Sequence, residues 1–396
     1  MNPERRRILL ITRNLPPLVG GMERLNYRMI EELGHSAEVR VVAPVGSQLP
    51  AGVDARLEAV PLRPLWRFLA GALIRGIRIA RRWKPQFVMA GSGLSAPAAW
   101  FAARACGAKV GVYLHGLDIA LRHPVYSLLW LSVIRRMDVV VANSRATRSV
   151  AIERGVPAER ISLVHPGVEL PSAEALAADI ACVAFREDHG LGTGPILLSV
   201  GRLTERKGLR EFVRDVLPGV VSHHPDLRLV VVGDIADDAL AAKSQSRESI
   251  QAEAERIGIG ANLLFVGVIT DPRALSQAYR CAAVHVFPVR ERAGDPEGFG
   301  MVAIEAAAHG LQTVAYATGG IVDAVAEGVS GRLASPGDYE ALSRHILDLL
   351  SAPLPQSPMR AFAARFAWPL FGTAIRSALS METVSSSAAT SLKRQA

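Results

Sequence analysis

The chain has 396 residues, a formal net charge of +8, nearly half apolar residues and about a fifth charged ones; it is too long for one core of ordinary size and too apolar for disorder, which predicts two α/β domains. Its three cysteines, Cys106, Cys182 and Cys281, form no Cys-x-x-Cys pair and have no histidine at ligand spacing, so neither a disulfide framework nor a metal site is indicated and a reducing compartment fits. No run of about 18 or more apolar residues is present to span a membrane, and the apolar run at residues 8–11 after Arg5-Arg6-Arg7 is too short for a signal-peptide core.

In the first half, short β-branched runs alternate with helical stretches, the pattern of a parallel sheet with crossover helices. Strands are predicted at residues 8–11, 38–43, 87–90, 110–113, 138–142 and 161–164. A helix at 21–33 follows a glycine turn, and Ser144 is placed to cap the helix after the strand at 138–142. Residues 63–84 carry seven basic side chains and no acidic one. Wound as a helix, they put Arg67, Arg75, Arg78, Arg81 and Arg82 on one side and Leu65, Leu69, Leu73, Ile77 and Ala80 on another. Such a helix suits an anionic bilayer, with its charges among the headgroups and its tryptophans at the interface; a solvated surface helix of a basic protein carries the same pattern. No helix-turn-helix, finger or aromatic-stacking signature accompanies the charge, so nucleic acid is not an expected partner. Residues 166–195, with Pro, Gly and Ala but no clean strand, read as an interdomain connection. A second alternation follows, with strands at 196–200, 229–232, 263–266, 284–287 and 313–316. The expected fold is therefore α/β, with two facing Rossmann-like domains, residues 1–175 and 190–365, whose ligands lie beyond the C-terminal strand ends. Helical material at 366–380 is expected to pack back on the junction, and residues 381–396 to form a loose tail.

The densest signal is EGFGMVAIEAAAHG at residues 297–310, directly after the strand at 284–287 and a polar loop. Gly298 and Gly300 lack side chains, so main-chain amides there can approach a ligand. The amides from Phe299 through Met301 to Val302 open a helix N-terminus, which suits a phosphate. Glu305 falls inside that helix. A carboxylate is a poor phosphate ligand but accepts two hydroxyl hydrogen bonds from a ribose, and Glu297 can likewise accept sugar hydroxyls. The plainer reading makes Glu297 a charge favoured by the helix dipole and Glu305 a solvated helix residue. A second run, SVGRLTERKGL at 199–209, sets Arg202 and Lys207 at a strand end, where two cations neutralise a diphosphate and stabilise it as it leaves. An exposed basic turn bridged to Glu205 or Glu211 is its alternative.

These runs resemble the retaining glycosyltransferases of family 4, which have the GT-B architecture of two facing Rossmann-like domains. In that family two glutamates separated by seven residues, with Gly-Phe-Gly after the first, bind the donor sugar and nucleotide; Glu297 and Glu305 match them. His309-Gly310 and Gly319-Gly320 fit the continuation, while Gln312 replaces the usual proline and Asp323 the commoner glutamate. Two weaker matches lie in the first half. Gly20-Gly21 in NLPPLVGGMERL matches a loop that reaches toward the donor phosphates and the acceptor, and His115 in HGLD matches a histidine near the donor sugar, with Asp118 orienting it or capping the next helix. DVVVANSRAT at 138–147 and VHPGVE at 164–169 also resemble family landmarks, so the likeness runs from about residue 8 to about residue 375.

The resemblance implies a metal-independent hexosyltransferase without a cofactor, whose nucleotide diphosphate sugar binds mainly to the second domain while the first faces the acceptor. Catalytic roles fall to His115, Arg202, Lys207 and Glu297. Donor contacts fall to Gly20, Gly21, Arg202, Lys207, Glu297, Gly298, Phe299, Gly300, Met301, Val302 and Glu305. The stretch GDPEGFG is similar to that of mannosyltransferases of cell-envelope glycan synthesis and favours a GDP-mannose-like donor, with a UDP-sugar left open. With the basic helix, the expected acceptor is a lipid-linked, lipopolysaccharide or exopolysaccharide glycan, met by a peripheral protein on the cytoplasmic face of the membrane; a soluble acceptor is the alternative. Two other classes compete: a nucleotide-sugar-binding protein without turnover, and a dinucleotide-dependent oxidoreductase. Against the latter, Leu15-Pro16-Pro17 follows the first strand where Gly-x-Gly-x-x-Gly is needed.

Overall fold

The structure, a computed structural model, describes residues 5–172, 176, 179–235, 245–292 and 294–380; the expected tail at 381–396 lies outside the described residues. The first sheet has seven parallel strands: β1 (Arg6–Ile11), β2 (Ala37–Pro44), β3 (Ala55–Val60), β4 (Phe87–Ala90), β5 (Lys109–Leu114), β6 (Val139–Ala142) and β7 (Ile161–Leu163). Their order is β3-β2-β1-β4-β5-β6-β7. The second has six parallel strands: β8 (Ile196–Val200), β9 (Arg228–Val232), β10 (Leu263–Gly267), β11 (Val284–Phe287), β12 (Thr313–Tyr316) and β13 (Gly331–Ala334). Their order is β10-β9-β8-β11-β12-β13. In each sheet the winding direction reverses once, between β1 and β4 and between β8 and β11. The crevice outside the carboxyl ends of those two strand pairs is where such sheets bind ligands.

Central strands are buried on both faces, which is why they read as largely apolar runs. The edge strands β3 and β13 were not predicted. β3 is half exposed along most of its length, and β13 is four residues long and contains a glycine and an arginine, so neither shows the apolar run of an inner strand. The Ser144 cap forms as expected, its Oγ accepting the Thr147 N–H at 3.1 Å. The connection read at 166–195 differs from the expectation, because a helix, Asp179–Asp188, lies inside it and packs on the helix Pro272–Cys281. Phe185 and Leu191 are buried with Ile196, Leu198 and Val230, so the second core begins before residue 190. Apolar spacing is weak in this Ala-rich stretch, which hid the helix.

The chain crosses between domains twice, at one place. On the outward crossing Val168 donates its N–H to the Phe366 carbonyl of the return crossing, at 2.7 Å. The helix Gln356–Ala364 packs on the second-domain helix Met301–Ala308, and the next helix, Trp368–Ala378, packs on the first-domain helix Gly21–Gly34. Trp368, Phe371 and Ile375 enter the first core beside Met29, Leu33 and Tyr113. The last helix therefore fastens the ends of the two domains together.

Candidate active site

At the β8/β11 crevice, the turn after β8 carries Arg202, Arg206 and Lys207, and the loop after β11 carries Asp295 and Glu297. Lys207 Nζ donates to Glu297 Oε2 at 2.8 Å, and the Arg206 guanidinium donates to the same oxygen. Arg206 Nε also pairs with Asp295 Oδ1 at 3.3 Å. Burial lowers Lys207 to about 8; Glu297 offsets this in part, while the charges of Arg206 and Arg202 add to the lowering. Burial pushes the Glu297 carboxyl up, but Arg206 and Lys207 more than reverse that and hold it at about 2. Arg202 is half-buried and near enough to repel Lys207, and it has no ion pair among the described residues. Three cations against two carboxylates leave a positive excess at the mouth of the crevice, which suits an anion.

The helix Met301–Ala308 starts next to this cluster. Gly300, at φ +93°, turns the chain into it, a conformation that favours glycine. The first amides of the helix have no intrahelical acceptor and point out of its N-terminus. The loop ahead is held in place from below, with Gly320 donating its N–H to the Glu297 carbonyl at 2.8 Å. A Cβ on Gly320 would collide with the Gly298 carbonyl, so the Gly319-Gly320 pair lets this loop lie down. Inside the helix, Glu305 Oε2 accepts the Tyr279 hydroxyl at 2.9 Å and Oε1 accepts from Arg24 of the first domain.

At the β1/β4 crevice, His115 Nε2 lies 2.8 Å from the Gly91 carbonyl, so Nε2 bears the ring proton and donates it. Asp118 neither orients the ring nor caps the helix after it. Its Oδ1 accepts the main-chain N–H of His115 at 2.9 Å and its Oδ2 that of Gly93 at 2.8 Å, which ties two crevice loops together.

The two crevices face each other in contact. A Cβ on Gly298 would strike the His115 carbonyl and come within 2.7 Å of Asn143 Nδ2. A Cβ on Gly21 would lie 3.4 Å from Met301 Sδ. Arg145 of the first domain donates its main-chain N–H to Asp323 Oδ2 at 2.6 Å and pairs its guanidinium with Oδ1. His165 stacks on Phe299, with ring centroids 5.2 Å apart.

Arg202, Lys207, Glu297, Gly298 and Gly300 thus share one pole of the cleft, Gly20 and Gly21 stand opposite Met301, and His115 stands opposite Gly298. For Phe299 and Val302 the expected donor contact is through the main-chain amide, and their side chains serve the packing. The Phe299 side chain is 2% exposed and fills the junction between His165 and Phe366, leaving only its amide for a ligand. Val302 is half-buried against the core cluster that holds Phe287 and Ile304. Arg206, Tyr279, Arg24 and the Arg145–Asp323 pair went unnoticed in the sequence. Only Arg206 left a signal there, as the neighbour of Lys207.

The basic helix forms at Leu65–Trp83, but its buried stripe differs from the predicted one. Phe68, Ala72, Gly76, Ile79, Ala80 and Trp83 face the core, and Leu65, Leu69 and Leu73 flank it half-buried, because the helix also leans on its neighbour Ala96–Arg104. Arg67, Arg75, Arg78, Arg81 and Arg82 are exposed together with Trp66 at 64% and Ile74 at 60%; Arg75 has one weak partner, Glu58, at 3.4 Å. On the same side of the sheet, Phe101, Val125, Leu128 and Leu129 are also exposed. No helix among the described residues is long and apolar enough to cross a membrane.

Two family models match, in tandem. Residues 19–171 match Glycosyltransferase Family 4 and residues 183–365 match Glycosyl transferases group 1, so together they cover most of the chain. A GDP-mannose-dependent alpha-(1-6)-phosphatidylinositol monomannoside mannosyltransferase of Mycolicibacterium smegmatis is 27% identical over 87% of this chain and 90% of its own length. A D-inositol 3-phosphate glycosyltransferase of Segniliparus rotundus is 31% identical over 58% of this chain, which spans about half of that enzyme. Among solved structures, Anabaena HepE in complex with UDP-glucose superposes with a TM-score of 0.76 at 19% identity, covering 95% of this chain and 100% of that one. The tandem models, the two switch-point crevices and the superposition converge: the chain belongs to the family 4 glycosyltransferases and has their GT-B fold.

Proposed function

We propose that the protein moves a hexosyl unit, with retention, from a nucleotide diphosphate sugar to a lipid-linked or envelope-glycan acceptor at an anionic membrane surface. The single observation that carries the donor half is the excess of positive charge formed by Arg202, Arg206 and Lys207 around Glu297, set beside the open N-terminus of the helix Met301–Ala308. A diphosphate placed there has its charge met by Arg202, Lys207 and the helix amides as it leaves, the electrostatic work that a metal does elsewhere. Glu297 holds Lys207 and Arg206 in position and is the nearest carboxylate for the sugar hydroxyls. Glu305 faces the ribose. His115, across the contact with Gly298, bounds the sugar pocket on the acceptor side, and its Gly91 hydrogen bond fixes the tautomer it presents. With no carboxylate assigned as a nucleophile, the departing phosphate oxygen takes the acceptor's proton on the same face.

GDP-mannose is the preferred donor, supported by the GDP-mannose dependence of the Mycolicibacterium smegmatis relative and by the GDPEGFG stretch. For the acceptor, the exposed arginine face with Trp66 and Ile74 gives charge for anionic headgroups and apolar groups for the interface. A soluble acceptor is the second reading, favoured by the likeness to an enzyme named for D-inositol 3-phosphate. The test has two arms. Purified protein is assayed against a panel of nucleotide sugars for transfer and hydrolysis, with and without EDTA; turnover of none of them, or turnover abolished by EDTA, contradicts the donor half. Sedimentation with anionic vesicles, lost at high salt and on replacing Arg67, Arg75, Arg78 and Arg82 by Gln, supports the membrane half; no sedimentation favours the soluble acceptor.

A further inference from the structure

Both oxygens of Glu305 are engaged by side chains. The Tyr279 hydroxyl that bonds Oε2 belongs to the same domain, and its ring is stacked on His309 at 5.0 Å, so it travels with the carboxylate. Arg24, which bonds Oε1, stands in the first turn of the helix Gly21–Gly34, three residues after Gly21, and belongs to the opposite domain. Its side chain is 43% exposed while that of Glu305 is 12% exposed, so the arginine reaches in from the mouth of the cleft to a carboxylate set deeper. The pair therefore joins the two domains at the position assigned to the nucleoside.

We propose that Arg24 is a latch on the nucleoside subsite: it holds the Glu305 oxygen that the donor ribose needs, and the nucleotide enters by exchanging this ion pair for ribose hydroxyls. This rests on the reading that Glu305 receives the ribose. A charge-assisted guanidinium bond is stronger than a hydroxyl bond to the same oxygen. The unlatched form is then the minority in the empty protein, and apparent affinity drops by the unlatched fraction. Breaking the pair also frees a first-domain contact, so donor entry loosens the two domains at the moment the substrate arrives. Arg24 is thus a positioning residue, tuning donor affinity and cleft opening through Glu305.

The experiment is calorimetric titration. GDP and UDP first identify the base that the wild-type protein binds, and the matching neutral nucleoside, guanosine or uridine, is then the probe. Arg24→Gln binds it about fivefold tighter than wild type, about 1 kcal/mol, since no ion pair has to break. Wild-type affinity for this uncharged probe also rises with ionic strength, about twofold or more, because salt weakens the latch; in Arg24→Gln it is flat. Unchanged or weaker binding by Arg24→Gln overturns the proposal, as does a wild-type affinity indifferent to salt. Adding Glu305→Gln to Arg24→Gln, where no latch is left to release, separates the layers. If the double variant binds the nucleoside as well as Arg24→Gln alone does, the ribose is not at Glu305 and the site reading falls with the latch. If it binds more weakly while Arg24→Gln gains nothing, the latch alone is wrong.

Discussion

Replacing Lys207 by arginine removes a titration without removing a charge. Burial brings Lys207 down to about 8, so in the empty enzyme it is charged in about nine molecules of ten at pH 7 and about one of ten at pH 9. Because kcat/KM reports the free enzyme, a diphosphate held by the charged form makes kcat/KM for the donor fall about tenfold over that interval. Arginine stays charged throughout, so in Lys207→Arg the fall is absent, whatever the height of its plateau. Stability runs the other way. Lys207's value in the folded protein lies below its ordinary one, so folding disfavours its charged form: that destabilisation is full below about pH 8, fades up to the unfolded value and is gone above it. Over the window in which activity is lost, the penalty from Lys207 recedes and stability rises, which separates its titration from unfolding. Initial rates at limiting donor, with Tm measured alongside at each pH, test this. The same alkaline fall in Lys207→Arg, or a flat wild-type profile, refutes the reasoning.

Further outcomes follow from the same cluster and from the junction. Glu297→Gln removes the charge that props Lys207 up against burial, so the alkaline limb of any residual activity moves to lower pH, readable in the same profiles. Gly298→Ala drives a methyl into the His115 carbonyl and holds the domains apart; kcat falls by about 100-fold or more while nucleoside diphosphate binding, measured by calorimetry, stays within about threefold. Trp368→Ala empties a buried position that pins the last helix to the first domain, and urea unfolding registers a loss of about 3–5 kcal/mol.

Inner strands and the site's local runs were legible because their signals are contiguous. A parallel strand buried on both faces is apolar nearly throughout, as β4 is, whereas β3 and β13 face solvent along an edge and carry no such mark. The cluster of Lys207 and Glu297 was readable because each falls at a strand end and winding brings strand ends together. Partners fixed only by domain packing were not. Arg24 and Glu305 are 281 positions apart, and nothing local at either residue names the other. The Phe299 ring shows the same limit: Gly298 and Gly300 mark a ligand loop, but nothing local says that the ring between them packs against His165 and Phe366 at the domain junction. On the basic helix, helical projection found the charged face, but the buried stripe depended on a second helix leaning against it.

The most direct test of the donor site is a crystal structure with the bound nucleoside diphosphate. The expected complex has the diphosphate within hydrogen-bond reach of Arg202, Lys207 and the first amides of the helix Met301–Ala308, and the ribose hydroxyls on Glu305 with Arg24 displaced. Phosphates seated elsewhere, with Lys207 still bound only to Glu297, would contradict it.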